Sequence, residues 1–272
     1  MMLVPSHFFV SFLGVAWVGF FRDKILYALF GVALFLLLLA PTLSFFSMRQ
    51  VQELSITLSL SAISISLLLL AVFLGATSIW RDIERRYTSS VLGLPVARST
   101  YVLGKFAGIA MFLLVGTLVL GAVALLVIPI ASLQYPSSVP IPWFNIVAAI
   151  LADGFKAVLI AAVALLFSSL STSFFLPIFG TLSVCLAGSA SQEVIEFVRG
   201  DYGKQLAPVS RLAIEAIYYL LPNLSAFDLK VQAIYGLPID LSSLLLTFAY
   251  FLVYVAVVLF LAVCSFNRRE LL

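Results

Sequence analysis

Six long apolar runs constrain this chain more than any other feature. They fall at roughly residues 25–46, 56–80, 104–131, 144–167, 174–190 and 241–266. A helix needs about 20 apolar residues to cross the hydrocarbon core of a bilayer. Inside lipid every backbone N–H and C=O must be paired within the protein, so only helices or closed barrels can cross. These runs are too long and too evenly apolar for the alternation of barrel strands. The chain is 63% hydrophobic and only 10% charged, where soluble domains carry about 25% charged residues. The expected fold class is an all-α integral membrane protein with six transmembrane helices, a single domain over 1–272, without internal repeats.

Several functions are excluded on composition and motif. A net charge of +3 is too small to argue for a nucleic-acid partner. His7 is the only histidine, so no histidine-rich metal site or serine–histidine pair is expected within the spans. Cys185 and Cys264 lie in apolar runs and read as small buried hydrophobes. No HExxH, GxSxG, GxxxxGK[ST] or GxGxxG pattern occurs, so no catalytic residue, metal site or cofactor is assigned and the chain is not expected to be an enzyme. The opening residues lack a basic start and a small-residue cleavage site, and insertion through the first span is expected.

Orientation follows from the basic residues. With both termini inside, Arg22, Lys24, Arg81, Arg85, Arg86, Arg98, Lys105, Arg268 and Arg269 are cytoplasmic. Arg49, Arg199, Lys204, Arg211 and Lys230 are then outside, and this distribution obeys the positive-inside rule. Ahead of the first span, residues 6–21 are apolar but too short to cross and return. They read as an interfacial elbow helix with Trp17 at headgroup depth, the alternative being an extension of the first span.

Residues 191–240 form the longest connection and are expected on the outer side. Pro208 opens and Pro222 closes a helix here, Arg211 and Glu215 are spaced for an i,i+4 pair, and Ala213, Ile214, Ile217, Tyr218 and Leu221 make one apolar face. A helix this apolar and this short is expected to be re-entrant or to lie in the outer leaflet.

The densest charge lies on the connection after the second span, RDIERRYTSSVLGLPVARSTYVLGK, residues 81–105. Asp82 can cap a new helix, Ile83, Tyr87 and Val91 recur at i,i+4, and Gly93 with Pro95 stops it. Residues 81–98 therefore read as a cytosolic helix with an apolar seam toward the membrane and Arg81, Asp82, Glu84, Arg85, Arg86 and Tyr87 available to a partner. Positive-inside topology alone would explain the arginines but not the caps or the acidic residues. Within the fourth span Asp153 and Lys156 share a helix face at i,i+3. They read either as a mutually neutralising pair or as part of a substrate path, since charge in a membrane is costly and commonly functional. Ser59, Ser61, Ser64 and Ser66, and Gly116, Gly121, Gly180 and Gly188, read as close-packing positions between helices.

The charged connection resembles the segment after the second span of ABC-2 type exporter permeases. Its ordered pattern is met by Asp82, Glu84, Arg85, Arg86, Leu92, Pro95, Arg98, Tyr101, Gly104 and Lys105. Tyr87 stands where that family usually has Thr. FFRDKILYALF, YLLPNLSAFDLK and the ending SFNRREL are similar to further stretches of the family, in the same order. Within it the chain is most similar to permeases associated with multicopper-enzyme maturation. The resemblance implies the permease subunit of an ATP-binding cassette exporter of the bacterial inner membrane, two copies pairing as a homodimer. Residues 81–98 would then be the coupling helix, seated on separate ATPase subunits that bind ATP and magnesium. Membrane lipid is a further partner, and an additional periplasmic or outer protein is compatible with the family. The alternative from a different class is an ATP-independent secondary transporter or channel.

Overall fold

The computed structural model describes residues 24–46, 50–84, 97–134, 140–171, 173–200 and 208–268. Among them the ordered elements are helical and no strand occurs. We name them α1 (Lys24–Ser44), α2 (Val51–Glu84), α3 (Arg98–Gln134), α4 (Trp143–Leu170), α5 (Phe175–Arg199), α6 (Pro208–Leu220), a 3₁₀ turn (Ser225–Phe227), α7 (Lys230–Tyr235) and α8 (Leu241–Arg268). Six of these, α1 to α5 and α8, are long and apolar enough to cross a membrane. The expected all-α membrane architecture is therefore met at that level. The elbow at 6–21 lies outside the described residues.

Helix α4 is the hub. Of its apolar window 72% is buried, against 17% for α8, and its closest and longest packing is against α2. Small residues explain that closeness. A Cβ on Gly75 of α2 would stand 2.5 Å from Ala164 Cβ and 2.8 Å from the Ala161 carbonyl of α4. Only glycine fits there without moving a backbone. Ser168 Oγ of α4 adds a buried hydrogen bond to the Ala76 carbonyl at 2.8 Å. Gly154 sits against Thr117 and Gly121 against Ile150 where α3 meets α4.

The outer helices bury only a stripe. In α8 this is Phe251, Val255, Val258, Ala262 and Phe266, the three-and-four spacing of one helical face. Much of the remainder of α8, including Leu245, Leu246, Val253 and Phe260, is exposed, as suits a surface solvated by lipid chains.

Two boundaries differ from the sequence reading. Helix α5 continues to Arg199, so the long connection begins after it and not at 191. The polar residues Gln192, Glu193 and Glu196 end a membrane-length hydropathy window but leave helix propensity intact. Similarly, α2 runs unbroken through Asp82 to Glu84. Asp82 lies in its last turn and does not cap a separate helix at 82.

Helix α6 forms as expected, from Pro208 to just before Pro222, with Arg211 Nε 3.2 Å from Glu215 Oε1. Its inward side differs in detail: Ile214, Tyr218 and Leu221 are partly covered, whereas Ala213 and Ile217 are exposed. The chain then turns back into the bundle, burying Pro222, Leu224, Phe227 and Ala233. Close approach to the backbone of Pro222 is permitted by Gly188 of α5. Tyr254 donates its hydroxyl to the Leu220 carbonyl at 3.0 Å, and Tyr250 accepts the Asn223 N–H at 2.9 Å. Tyr254 stands thirteen residues into α8, about 20 Å from its start at 1.5 Å per residue. The end of α6 thus lies well down the side of α8. Gly236, at φ +63°, closes α7 in the left-handed conformation.

Candidate functional site

Two polar constellations stand out against the apolar bundle. The first lies at the end where α2 finishes and α3 begins, which we call the basic end. Asp82 Oδ2 accepts the Tyr101 hydroxyl at 2.5 Å and pairs with Lys105 Nζ at 2.7 Å. The Asp82 and Lys105 side chains are 19% and 18% exposed, so the pair is better insulated than a surface ion pair. Tyr101 is 1% exposed and stacks on Phe266 of α8, with centroids 5.5 Å apart. Arg98 Nη1 donates to the Asn267 carbonyl at 3.1 Å, neutralising the negative end of α8. Residues from α2, α3 and α8 are thereby locked into one block. Arg81 lies in the last turn of α2. Arg85, Arg86 and Tyr87 lie outside the described residues, as does the side chain of Glu84.

The second constellation lies between α2 and α4. Asp153 is 5% exposed, ten residues in from Trp143 at the start of α4. Its Oδ1 accepts a hydrogen bond from Ser64 Oγ of α2 at 3.2 Å. Its Oδ2 is buried and has no hydrogen-bond partner, which is unusual for a charged acceptor. A small pocket adjoins it, lined by Ser64, Leu68, Asp153, Lys156, Ala157 and Ile160, with room for about one water molecule. Ser64, Leu68 and Lys156 are its partly exposed members. Lys156 makes no ion pair with Asp153 among the described residues, although the two interact electrostatically. Lys230, at the start of α7, and Asp228 lie within electrostatic reach of the same carboxylate. The expected Asp153–Lys156 proximity is present, and direct pairing is not.

Sequence reading missed three participants. Ser64 reads from sequence as a packing serine, and its register against Asp153 becomes visible only once α2 and α4 are docked. Lys230 and Asp228 belong to a connection that folds back into the bundle. Asn145 of α4 fixes that return, donating Nδ2 to the carbonyls of Gln232 and Leu237 at 2.9 and 2.8 Å. One interrupted stretch cannot reveal such a contact across about ninety residues.

Near the start of α8, Asp240 accepts the Ser242 hydroxyl and its N–H, the latter at 3.2 Å. The Ser242 hydroxyl, aided by that N–H, holds the Asp240 carboxyl below the ordinary aspartate range. Asp240 is the N-cap of α8 in function. Cys185 is buried and Cys264 half-buried, both free. Among the described residues, no cluster of histidine, cysteine and carboxylate side chains could hold a metal ion. No protein-family model matches the chain, and no match is found among curated proteins.

Proposed function

We propose that the chain is the membrane-spanning permease subunit of an ATP-binding cassette exporter of the ABC-2 type. ATP would be hydrolysed by separate subunits that engage residues 81–98 on the cytoplasmic side of a bacterial inner membrane. The observation that carries this reading is the ordered motif over 82–105. Three of its members, Asp82, Tyr101 and Lys105, are remote in sequence yet meet in one hydrogen-bonded cluster. A connection rooted in such a block can pass displacement to the spans, because packed elements move as units. Two copies pair, each presenting its connection to one ATPase subunit, and cargo moves along a path that includes Asp153 and Lys156. Both termini are cytoplasmic, with residues 200–240 outside as a re-entrant element.

The test is co-purification of an ATPase subunit with the chain, followed by reconstitution. Glu84→Ala or Arg85→Ala should uncouple ATP hydrolysis from transport while membrane insertion is retained. Unchanged transport in both variants removes the coupling role.

A second reading, an ATP-independent secondary transporter or channel, draws on one observation: the buried Asp153 carboxylate with an unpartnered oxygen. Transport driven by an ion gradient in vesicles containing this chain alone, without ATP, would select it.

A further inference from the structure

The Asp153 pocket has a polar inventory specific enough to name what it takes. Asp153 Oδ2 is an acceptor, buried and without a donor. Lys156 lines the same small space and can donate there, and among the described residues it forms no ion pair with Asp153. A ligand group must therefore give a hydrogen bond to one wall and accept one from the other. An ammonium group would satisfy Asp153 but face Lys156 as a like charge. A carboxylate or phosphate would satisfy Lys156 and face Asp153 in the same way. A hydroxyl does both through one oxygen, being a donor with acceptor lone pairs. The charges nearby are already balanced, with Asp153 and Asp228 against Lys156 and Lys230. A neutral group preserves that balance in a medium where uncompensated charge is expensive.

The walls argue for an alkyl group attached to that hydroxyl. Leu68, Ala157 and Ile160 complete the lining, and Leu68, one turn beyond Ser64 on the same face of α2, is itself partly exposed. Space beside the carboxylate suffices for about one oxygen atom with its hydrogens. A ligand's tail would leave past the partly exposed Ser64 and Lys156 along an apolar flank. We propose that this pocket is a binding site for the hydroxyl group of a neutral, alkyl-chain alcohol within the bilayer. The site deepens the transport reading by naming a substrate class. It rests on that reading only for the word substrate, since binding itself needs no ATPase.

The test uses the purified full chain in nanodiscs and a photoreactive dodecanol carrying a diazirine on its chain. Labelling is expected on the α2 and α4 peptides that hold Leu68 and Ala157. Unlabelled dodecanol should compete about tenfold better than dodecyl methyl ether, which accepts but cannot donate, the effect of one charge-assisted hydrogen bond. Dodecylamine and dodecanoate should compete less well than dodecanol. Asp153→Asn and Lys156→Met should each weaken dodecanol competition several-fold. Equal competition by alcohol and ether in the unmodified chain overturns the proposal, and so does labelling confined to other helices or absent because the pocket admits water only. The alcohol–ether comparison requires no variant to fold. If labelling behaves as expected but no ATPase subunit associates, the site stands and the exporter reading falls.

Discussion

A buried hydroxyl and a partly buried carboxylate at the edge of an apolar bundle define how tightly the basic end is held. The Tyr101 hydroxyl and Lys105 share Asp82 Oδ2, so removing the acceptor leaves both donors without it. Tyr101→Phe keeps the ring on Phe266 and loses one hydrogen bond, at a cost of about 1 kcal/mol. Asp82→Ala should cost about 2–3 kcal/mol, because a partly buried ammonium and a buried hydroxyl lose their shared charged acceptor together. Equilibrium unfolding of the two variants in mixed micelles checks the order, and equal losses would contradict a shared acceptor. Sequence could rank Asp82 as important through its motif but not say what it binds. Its partners are 19 and 23 positions onward, beyond any local periodicity. Asp240 is the opposite case, with Ser242 and Ser243 beside it, so its capping is a local matter. Its folded pKa lies below the unfolded one. The cap therefore stabilises α8 above the ordinary aspartate range and loses that effect as pH falls through the lowered value. Carboxyl titration by carbon-13 NMR in micelles should find Asp240 below ordinary aspartates, and Ser242→Ala should raise it.

At the scale of elements, α2 and α4 owe their approach to glycine at a single contact. Gly75→Leu would drive a side chain into Ala164 and the Ala161 carbonyl and should destabilise the bundle by about 3 kcal/mol, the upper end for overpacking. Gly31→Leu is the matched control, since a Cβ there meets nothing within 4 Å, and it should be close to neutral. A shift in unfolding midpoint of similar size for both would remove the close-packing explanation. Small residues in apolar runs are legible in sequence, yet their spacing points to Gly116, where a Cβ would meet only Phe30 at 3.6 Å, and not to Gly75. Spacing tells which residues could line a contact. Docking decides which of them do. The six long helices were legible, because a lipid-spanning run can hardly be anything else, whereas the short α7 was not. Helix ends were less so, since the apolar runs stop before α2 and α5 do. In the return segment, Tyr254→Phe should free the Leu220 carbonyl. Hydrogen exchange is expected to rise in the last turn of α6 while α8 stays protected, and parallel loosening of both would argue against a separable element.

For the whole molecule, the contacts fix which helix ends lie together. Trp80, near the end of α2, packs on Phe174 just before α5, with centroids 5.0 Å apart. Arg98, at the start of α3, bonds to Asn267 in the last turn of α8. The end of α2, the start of α3, the start of α5 and the end of α8 therefore share one end of the bundle. It follows that α5 finishes and α8 begins at the opposite end, so residues 200–240 leave and return on the same side. The excursion of α6 and α7 down the bundle then adds no crossing, and six membrane-length helices crossing in turn would bring the chain back to its starting side. Sequence supplied the count of six, but only these contacts separate a returning excursion from a seventh crossing. The proposed orientation rests on charge, since Arg81, Arg98, Lys105 and Arg268 gather at the shared end and basic residues favour the cytoplasmic side. Single cysteines placed in a chain with Cys185 and Cys264 replaced make this measurable in intact cells. Pro140→Cys and Asp240→Cys should react with a membrane-impermeant maleimide from outside. Ala97→Cys and Ser173→Cys should react only after permeabilisation. The reverse pattern would invert the protein and place residues 81–98 where no cytoplasmic ATPase could reach them. Labelling of positions 140 and 240 from opposite sides would instead mean that the α6–α7 excursion crosses after all.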